Sequence, residues 1–365
     1  MTQANPGPTP GPSDGPTTRP HPLLPRRPPR PGRRPLPWPA PRTTALPAFV
    51  PAHLPTLVPV LLSLLVAALL TRPALVPNAP GHPGSLLETF LPWLGLAVPL
   101  LLVLALRRRS AATALALLFP AAAWLGQFGS LLTHPAPPAT ARPTLTTVQH
   151  NISDENPDPS RTAKALAAGH PALIAVEELT PAAITAFTAT LAAGHPHHAT
   201  HGTVGLWSAY PLTDVRPVDI KPPALAGDPH WNRGLRATAA TPDGPVAVYV
   251  VHLPSLRLGA SGFGSARRDE SALLLGAVLA AEPAERVVLL GDLNGTADDR
   301  GLAPVRTALA ATAAPAPGFA FTWPAAFPLA RIDQILARSG TVTHVRTLPA
   351  TPSDHLPLTA DIQFD

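Results

Sequence analysis

Five places in the C-terminal part of the chain set chemically competent polar side chains in or at the end of an apolar run. They are Glu178 after "LIAVE", His252 after "VAVYVV", Asp292 with Asn294 around "VVLLGDLN", Asp333 ahead of "QILA", and Asp354 with His355 ahead of "LPL". Strand ends present side chains to a common cleft. Buried carboxylates without partners are costly, so such a set implies mutual pairing or a cation. Aspartate can take a proton from water, and an Asn amide can donate to an anion without adding negative charge beside it. An acidic turn of this kind can cap a helix, hold a structural calcium ion or present a carboxylate to a reacting phosphate.

Each residue also has a plainer reading. Glu177 and Glu178 could cap the helix that "PAAITAFTATLAAG" predicts. Asp292 could be a structural turn, and Asp354 with His355 a solvated loop. A calcium-binding EF-hand loop is disfavoured, since its twelfth position would be Ala303 rather than Glu. Asp298 and Asp299 read as the start of a helix through "LAPVRTALAA". The run "GHPHHATHG", with His195, His197, His198 and His201, invites a zinc assignment. Irregular spacing and the lack of a carboxylate partner favour a solvated loop instead.

Elements that can position these residues alternate along 143–365. "TLTTVQHNI" and "PALIAVEEL" predict strands with the helix "SRTAKALAA" between them. "VGLWSAYPLTDVRPVDI" and "GLRATAATPDGPVAVYVVHLPS" predict antiparallel strands, the second with a turn at Pro242, Asp243 and Gly244. A helix over 265–281 leads into "RVVLLGD", and three further strand-like pieces close the chain. Mixed strands with intervening helices indicate a layered α/β sandwich.

In this order, "VQHN", "VEEL", "VHLP", "GDLN", "FTWP", "RIDQIL" and "SDHLPL" resemble the endonuclease/exonuclease/phosphatase superfamily, which includes deoxyribonuclease I, exonuclease III, neutral sphingomyelinases and inositol polyphosphate 5-phosphatases. The resemblance implies a four-layered α/β sandwich and a divalent-metal phosphoesterase site. It implies Glu178 as principal Mg2+ ligand, with Mn2+ as a substitute, Asn151 beside it and Asp354 assisting. Asp292 would orient or deprotonate water and Asn294 would donate to a phosphate oxygen. His252 and His355 would contact the phosphate, with Asp333 holding His355. One position departs from the pattern: the family commonly has Gln before the metal-binding Glu, and here it is Glu177. That carboxylate could tighten metal binding or change which groups are accepted. Trp323 falls where the family packs an aromatic residue, which core packing explains equally well.

The N-terminal part is built differently. Pro numbers 52 and charged residues only 13 %, so an apolar part and a Pro-rich part share the chain. Residues 1–45 read as a disordered, cytoplasmic Pro/Arg-rich arm. Residues 46–133 read as a membrane domain with transmembrane helices at about 49–71, 89–106 and 110–132. No polar face interrupts these runs, which disfavours a soluble helical domain. Arg107, Arg108 and Arg109, with seven Arg ahead of the first run, orient the N-terminus to the cytoplasm. Residues 134–142 form a Pro-rich linker to an extracytoplasmic catalytic domain over 143–365. This architecture also resembles VanJ-type teicoplanin-resistance membrane proteins.

Charge separates the same way. Residues 1–139 hold 11 basic and 2 acidic groups (+9), whereas 140–365 hold 16 and 20 (−4). A domain that grips a polyphosphate backbone concentrates positive charge on itself, so nucleic acid is the weaker partner. The absence of Cys excludes disulfides, thiolate metal sites and a Cys nucleophile. The sequence therefore points to a membrane-anchored Mg2+-dependent phosphoesterase acting on a membrane lipid or lipid-linked phosphate or pyrophosphate. An extracytoplasmic nuclease and a catalytically inert binding module are the alternatives.

Overall fold

The computed structural model describes residues 54–78, 80–132, 145–309 and 318–364. They fall in one compact unit, Pro51–Asp365. The expected arm at 1–45, the expected linker at 134–142 and residues 49–53 of the first apolar run lie outside the described residues.

The N-terminal helices are α1 (Leu54–Thr71), α2 (Pro83–Thr89), α3 (Ala97–Arg107), α4 (Ala111–Ala116) and α5 (Leu118–Leu132). They do not form the three straight spans expected. The helix over 111–132, made of α4 and α5, is long and apolar enough to cross a membrane. The second run is bent by 74° between α2 and the segment 91–107, and makes another span only if the bent pair is counted as one. Pro92, in the 3-10 turn Leu91–Leu96, has no N–H to continue α2. The α1 residues Leu57–Thr71 form a shorter apolar helix.

The remainder is a sandwich whose order is β1 (Leu145–Asn151), α6 (Pro159–Ala167), β2 (Leu173–Glu177), α7 (Pro181–Leu191), β3 (His197–His201), β4 (Val204–Ser208), β5 (Leu212–Pro217), β6 (Gly234–Thr241), β7 (Gly244–His252), the short hairpin β8 (Leu258–Gly259) and β9 (Gly262–Phe263), α8 (Ala266–Ala281), β10 (Val287–Asp292), α9 (Ala303–Ala308), β11 (Asp333–Arg338), β12 (Gly340–Thr347) and β13 (Leu358–Phe364). One sheet runs β12-β13-β1-β2-β4-β3 and the other β11-β10-β7-β6-β5.

Strand alternation explains the layers. Leu145, Leu173, Ala175 and Leu206 of one sheet meet Val248, Val250, Val288, Leu290 and Ile335 of the other in the central core. The opposite faces bury Val148, Ile174 and Val176 against Leu166 of α6 and Phe187 of α7, and Tyr249, Val251 and Leu289 against Leu275 and Leu279 of α8. The result is helix, sheet, sheet, helix, as the sequence implies. The His-rich run is a correction: 197–201 is the edge strand β3, paired with β4. His195 is buried with its Nε2 2.7 Å from the Pro171 carbonyl, and His198 stacks on Trp207.

Candidate active site

Two parallel pairs, β1 with β2 and β7 with β10, end at the same edge of the sandwich. Register sets Asn151 beside Glu177, His252 beside Asp292, and Asp292 beside Asp333 on antiparallel β11. Parity then decides direction. Gln149 and Asn151 share a face with Leu145, Glu177 with Leu173 and Ala175, His252 with Val250, Asp292 with Leu290, and Asp333 with Ile335. All point between the sheets, where they form a polar cap on the central core.

The hydrogen bonds join the two sheets. Asn151 donates through Nδ2 to Asp292 Oδ2 (3.2 Å), while its Oδ1 accepts from the Ser153 N–H. Asp292 Oδ1 accepts from the Asn294 N–H (2.9 Å). Its Oδ2 lies 3.6 Å from His252 Nε2 and 3.8 Å from His355 Nε2. Asp333 Oδ2 is 2.8 Å from His355 Nδ1, and Gln149 donates to both Asp333 Oδ1 (3.0 Å) and Glu177 Oε2 (2.7 Å). Ser353 Oγ donates to the Asn151 carbonyl and accepts from the His355 N–H, tying the 353–355 turn to β1.

Burial and charge split the titrating groups into distinct states. Burial and the neighbouring Asp333 push Asp292 up to about 7, against relief from His355. Burial opposes a charge on His355, but Asp333 and Asp292 overcome it and raise the imidazole to about 10. Burial likewise opposes a charge on Asp333, yet the His355 charge and hydrogen bonds hold it ionised, below the usual range. His252 is held neutral by burial and by Arg233, whose Nη1 lies 3.4 Å from both ring nitrogens. The site thus holds a charged imidazole, a neutral one and a carboxylate poised near neutrality.

Glu178 and Asn294 are in the left-handed backbone region, φ 59° and 46°, which non-glycine residues seldom adopt. Each turns its strand end into the cleft. The Glu178 side chain is 29 % exposed, with Oε1 3.9 Å from His252 Nε2. The Asn294 side-chain amide donates to the Leu253 carbonyl, leaving one N–H for a ligand. Asp354 is exposed at the rim, where its Oδ2 lies 3.4 Å from Trp323 Nε1. These residues line a cleft of ≈ 830 Å³ together with Asn151, Asp292 and His355.

Other residues take different places from those considered. Glu177 faces the interior, fully buried, and burial with Asp333 and Asp292 raises its carboxyl well above the usual range. A neutral carboxyl facing away from the cleft offers a cation no charge. Neither Glu177 nor Glu178 caps α7, whose cap is Thr180 accepting from the Ala183 N–H. Asp299 does cap the turn Arg300–Leu302, and is also paired with buried Arg268 at 2.6 Å. Gln149 and Arg233 were missed. Gln149 was visible as a polar residue at an inward position of β1, whereas nothing in "WNRG" announces that Arg233 reaches His252.

Among the described residues, two sets could hold a cation. Asp292, Asp333 and His355 each bring a donor atom within 4.8 Å of the others. Within that trio Asp333 Oδ2 and His355 Nδ1 are already engaged with each other at 2.8 Å. Glu178 and Asn151, with Asp354 at the rim, offer hard oxygens facing the cleft, and no thiol exists to select a softer metal. The donor chemistry therefore fits a divalent cation of the magnesium type.

A family model described as "Endonuclease/Exonuclease/phosphatase family" matches residues 148–355. Similar solved structures include sphingomyelinase C from Streptomyces griseocarneus (18 % identity, TM-score 0.48, 60 % of this chain and 99 % of that one). Another is an endonuclease/exonuclease/phosphatase from Beutenbergia cavernae (22 %, 0.49, 61 % and 72 %). A third is a mutant beta toxin from Staphylococcus aureus with bound magnesium ions (14 %, 0.46, 60 % and 99 %). No curated protein sequence matches the chain. The family match runs from the strand bearing Gln149 and Asn151 to His355 and takes in more than half of the chain, so the protein belongs to the Endonuclease/Exonuclease/phosphatase family.

Proposed function

We propose that this metal-dependent phosphoric ester hydrolase acts on a phosphate or pyrophosphate carried by a membrane lipid, at the extracytoplasmic face, with Mg2+, or Mn2+ in its place, as its metal. The observation that carries the lipid assignment is the outer surface of the N-terminal helices. Leu61 and Leu65 of α1, Leu100 and Leu106 of α3, and Leu118 and Phe119 of α5 are all more than half exposed. Soluble monomers seldom expose contiguous apolar surface on that scale, and a bilayer would cover it. The arginine asymmetry supports a cytoplasmic N-terminus, and the −4 charge over 140–365 disfavours a long polyanion.

The residues divide the work. Asp292, held by the Asn294 N–H and Asn151 Nδ2, accepts the proton of an attacking water, and its raised pKa suits that role near neutral pH. His355, kept protonated by Asp333, donates through Nε2 to a phosphoryl oxygen. Asn294 donates its remaining N–H, and Arg233 adds positive charge beside His252. A divalent cation bound by Glu178, Asn151 and Asp354 would supply Lewis-acid stabilisation of charge growing on the phosphoryl oxygens.

The test uses the full-length protein with Mg2+ and four substrates: polyprenyl pyrophosphate, phospholipid, DNA and a chromogenic phosphodiester. Turnover of a lipid substrate, lost in Asp292→Ala, is expected. Cleavage of DNA alone would overturn the lipid assignment, and an Asp292→Ala protein as active as wild type would overturn the catalytic one.

A further inference from the structure

The active-site cleft is not made by the sandwich alone. Leu86, Thr89 and Phe90, from α2 and the turn after it, line the same cleft as Asp292 and His355. The cleft is also lined by Leu256 of the loop after β7, Leu258 of β8, Phe263 of β9, and Ile332 ahead of β11. The cleft therefore has a polar end at the strand termini and an apolar wall shared by the helical segment and the sandwich. Leu258 is 73 % exposed, which the interior packing of the fold does not require.

Specific contacts hold α2 in place. Arg300 donates through Nε to both Glu88 carboxylate oxygens at 2.9 Å, and through Nη1 and Nη2 to the carbonyls of Val76 and Pro73. Glu88 is buried, and its carboxylate also accepts from the Arg300 N–H. The β8–β9 hairpin docks on the start of α2, with the Phe263 N–H donating to the Gly81 carbonyl. Beyond the bend, Trp93 Nε1 donates to the Leu329 carbonyl at 2.7 Å. A wall fixed at both ends can select for shape, which a segment tethered only by its chain cannot.

We propose that α2 and its bend are the specificity element of the enzyme: Leu86 and Phe90, with Leu256, Leu258 and Phe263, bind the hydrocarbon chain of a lipid phosphate whose phosphate sits at Asp292 and His355. This rests on the phosphoesterase reading above and narrows its substrate to a phosphate bearing a long apolar chain. The occupant follows from the cleft itself, since an apolar wall continuous with an anion-handling polar end matches an amphiphile. Neither a soluble sugar phosphate nor DNA offers anything for the Leu86 and Phe90 side to bury.

The test follows kcat/KM of the full-length chain for p-nitrophenyl alkyl phosphodiesters of increasing alkyl length, all kept monomeric, in wild type, Phe90→Ser, Leu256→Ser and Leu100→Ser. Leu100 is an exposed α3 residue outside the cleft. Wild type should gain about two- to fourfold per methylene until the wall is covered. Phe90→Ser and Leu256→Ser should flatten that slope, and Leu100→Ser should keep it, separating binding in the cleft from partition into surrounding lipid. A flat wild-type series, or cleft variants with the wild-type slope, overturns the proposal while turnover of the shortest ester leaves the phosphoesterase reading standing. No turnover of any ester overturns both. Leu256 is on a half-exposed loop, so its variant remains informative should Phe90→Ser misfold.

Discussion

Asp292 is expensive to the fold and valuable to the chemistry. Its carboxyl is raised to about 7 from an ordinary 3.8, chiefly by burial, so the folded protein binds its proton more tightly than the unfolded chain does. That linkage stabilises most below pH 4 and is lost as pH rises through about 7. Asp292→Asn should therefore melt above wild type when both are metal-free, with the difference growing from pH 4 to pH 8. Its hydrolytic rate should fall by about 10²- to 10⁴-fold, the usual contribution of a positioned base. Thermal melts in a chelator and steady-state rates check the two halves. Adjacent Glu177 and Glu178 give a second contrast. Glu177 is neutral and bonded to Gln149, so Glu177→Gln should keep activity within about threefold, because an amide can accept the same N–H. Glu178→Gln removes the cleft carboxylate and should abolish Mg2+-dependent turnover. Mg2+ titrations of both variants decide it, and equal losses would put Glu177 back among the ligands. The contrast was legible beforehand in strand parity, since Glu177 shares a face with Leu173 and Ala175, but a motif reading treats the two Glu as one pair.

At the scale of elements, β1, β2, β7, β10 and β11 follow from alternating or continuous apolar runs, and their ends carry the polar residues found at the site. β3 escaped because "HPHHATH" has no apolar alternation; it is a strand only because β4 supplies its hydrogen bonds. The bend after Thr89 escaped for the opposite reason. Its residues are as apolar as a membrane span, and hydropathy does not see that Trp93 and Glu88 are drawn onto the sandwich. The hairpin β8–β9 marks where that contact is tightest. Gly262 has φ 100°, and a Cβ there would lie 2.3 Å from Gly81 Cα. Gly262→Val should cost about 1–3 kcal/mol through strain and overpacking. It should also raise hydrogen exchange around residues 80–90, and unchanged exchange there would show that the hairpin does not hold α2.

For the whole molecule, the arginine distribution and the leucine-covered helices predict a C-terminus outside the cytoplasm. A C-terminal tag should be accessible to an impermeant probe in cells with an intact cytoplasmic membrane, and labelling only after lysis would reverse the orientation. The unlike halves of the chain and most of the strand order after residue 143, though not β3 or the β8–β9 hairpin, followed from sequence alone, as did the placement of Glu178, His252, Asp292, Asn294, Asp333 and His355 in or beside strand ends. They were readable because polar residues at the ends of apolar strands have few inexpensive explanations. Tertiary structure decided the rest. Tertiary contacts made His355 a charged donor beside ionised Asp333, and burial with Arg233, just ahead of the neighbouring strand, left His252 neutral. Docking through Arg300 and Glu88 brought the start of an apolar segment, Leu86 to Phe90, to the lining of the cleft. The Glu88–Arg300 and Asn151–Asp292 contacts join residues 212 and 141 positions apart, and even the Asp333–His355 and Arg233–His252 contacts span 22 and 19, separations at which local hydropathy and spacing carry no information.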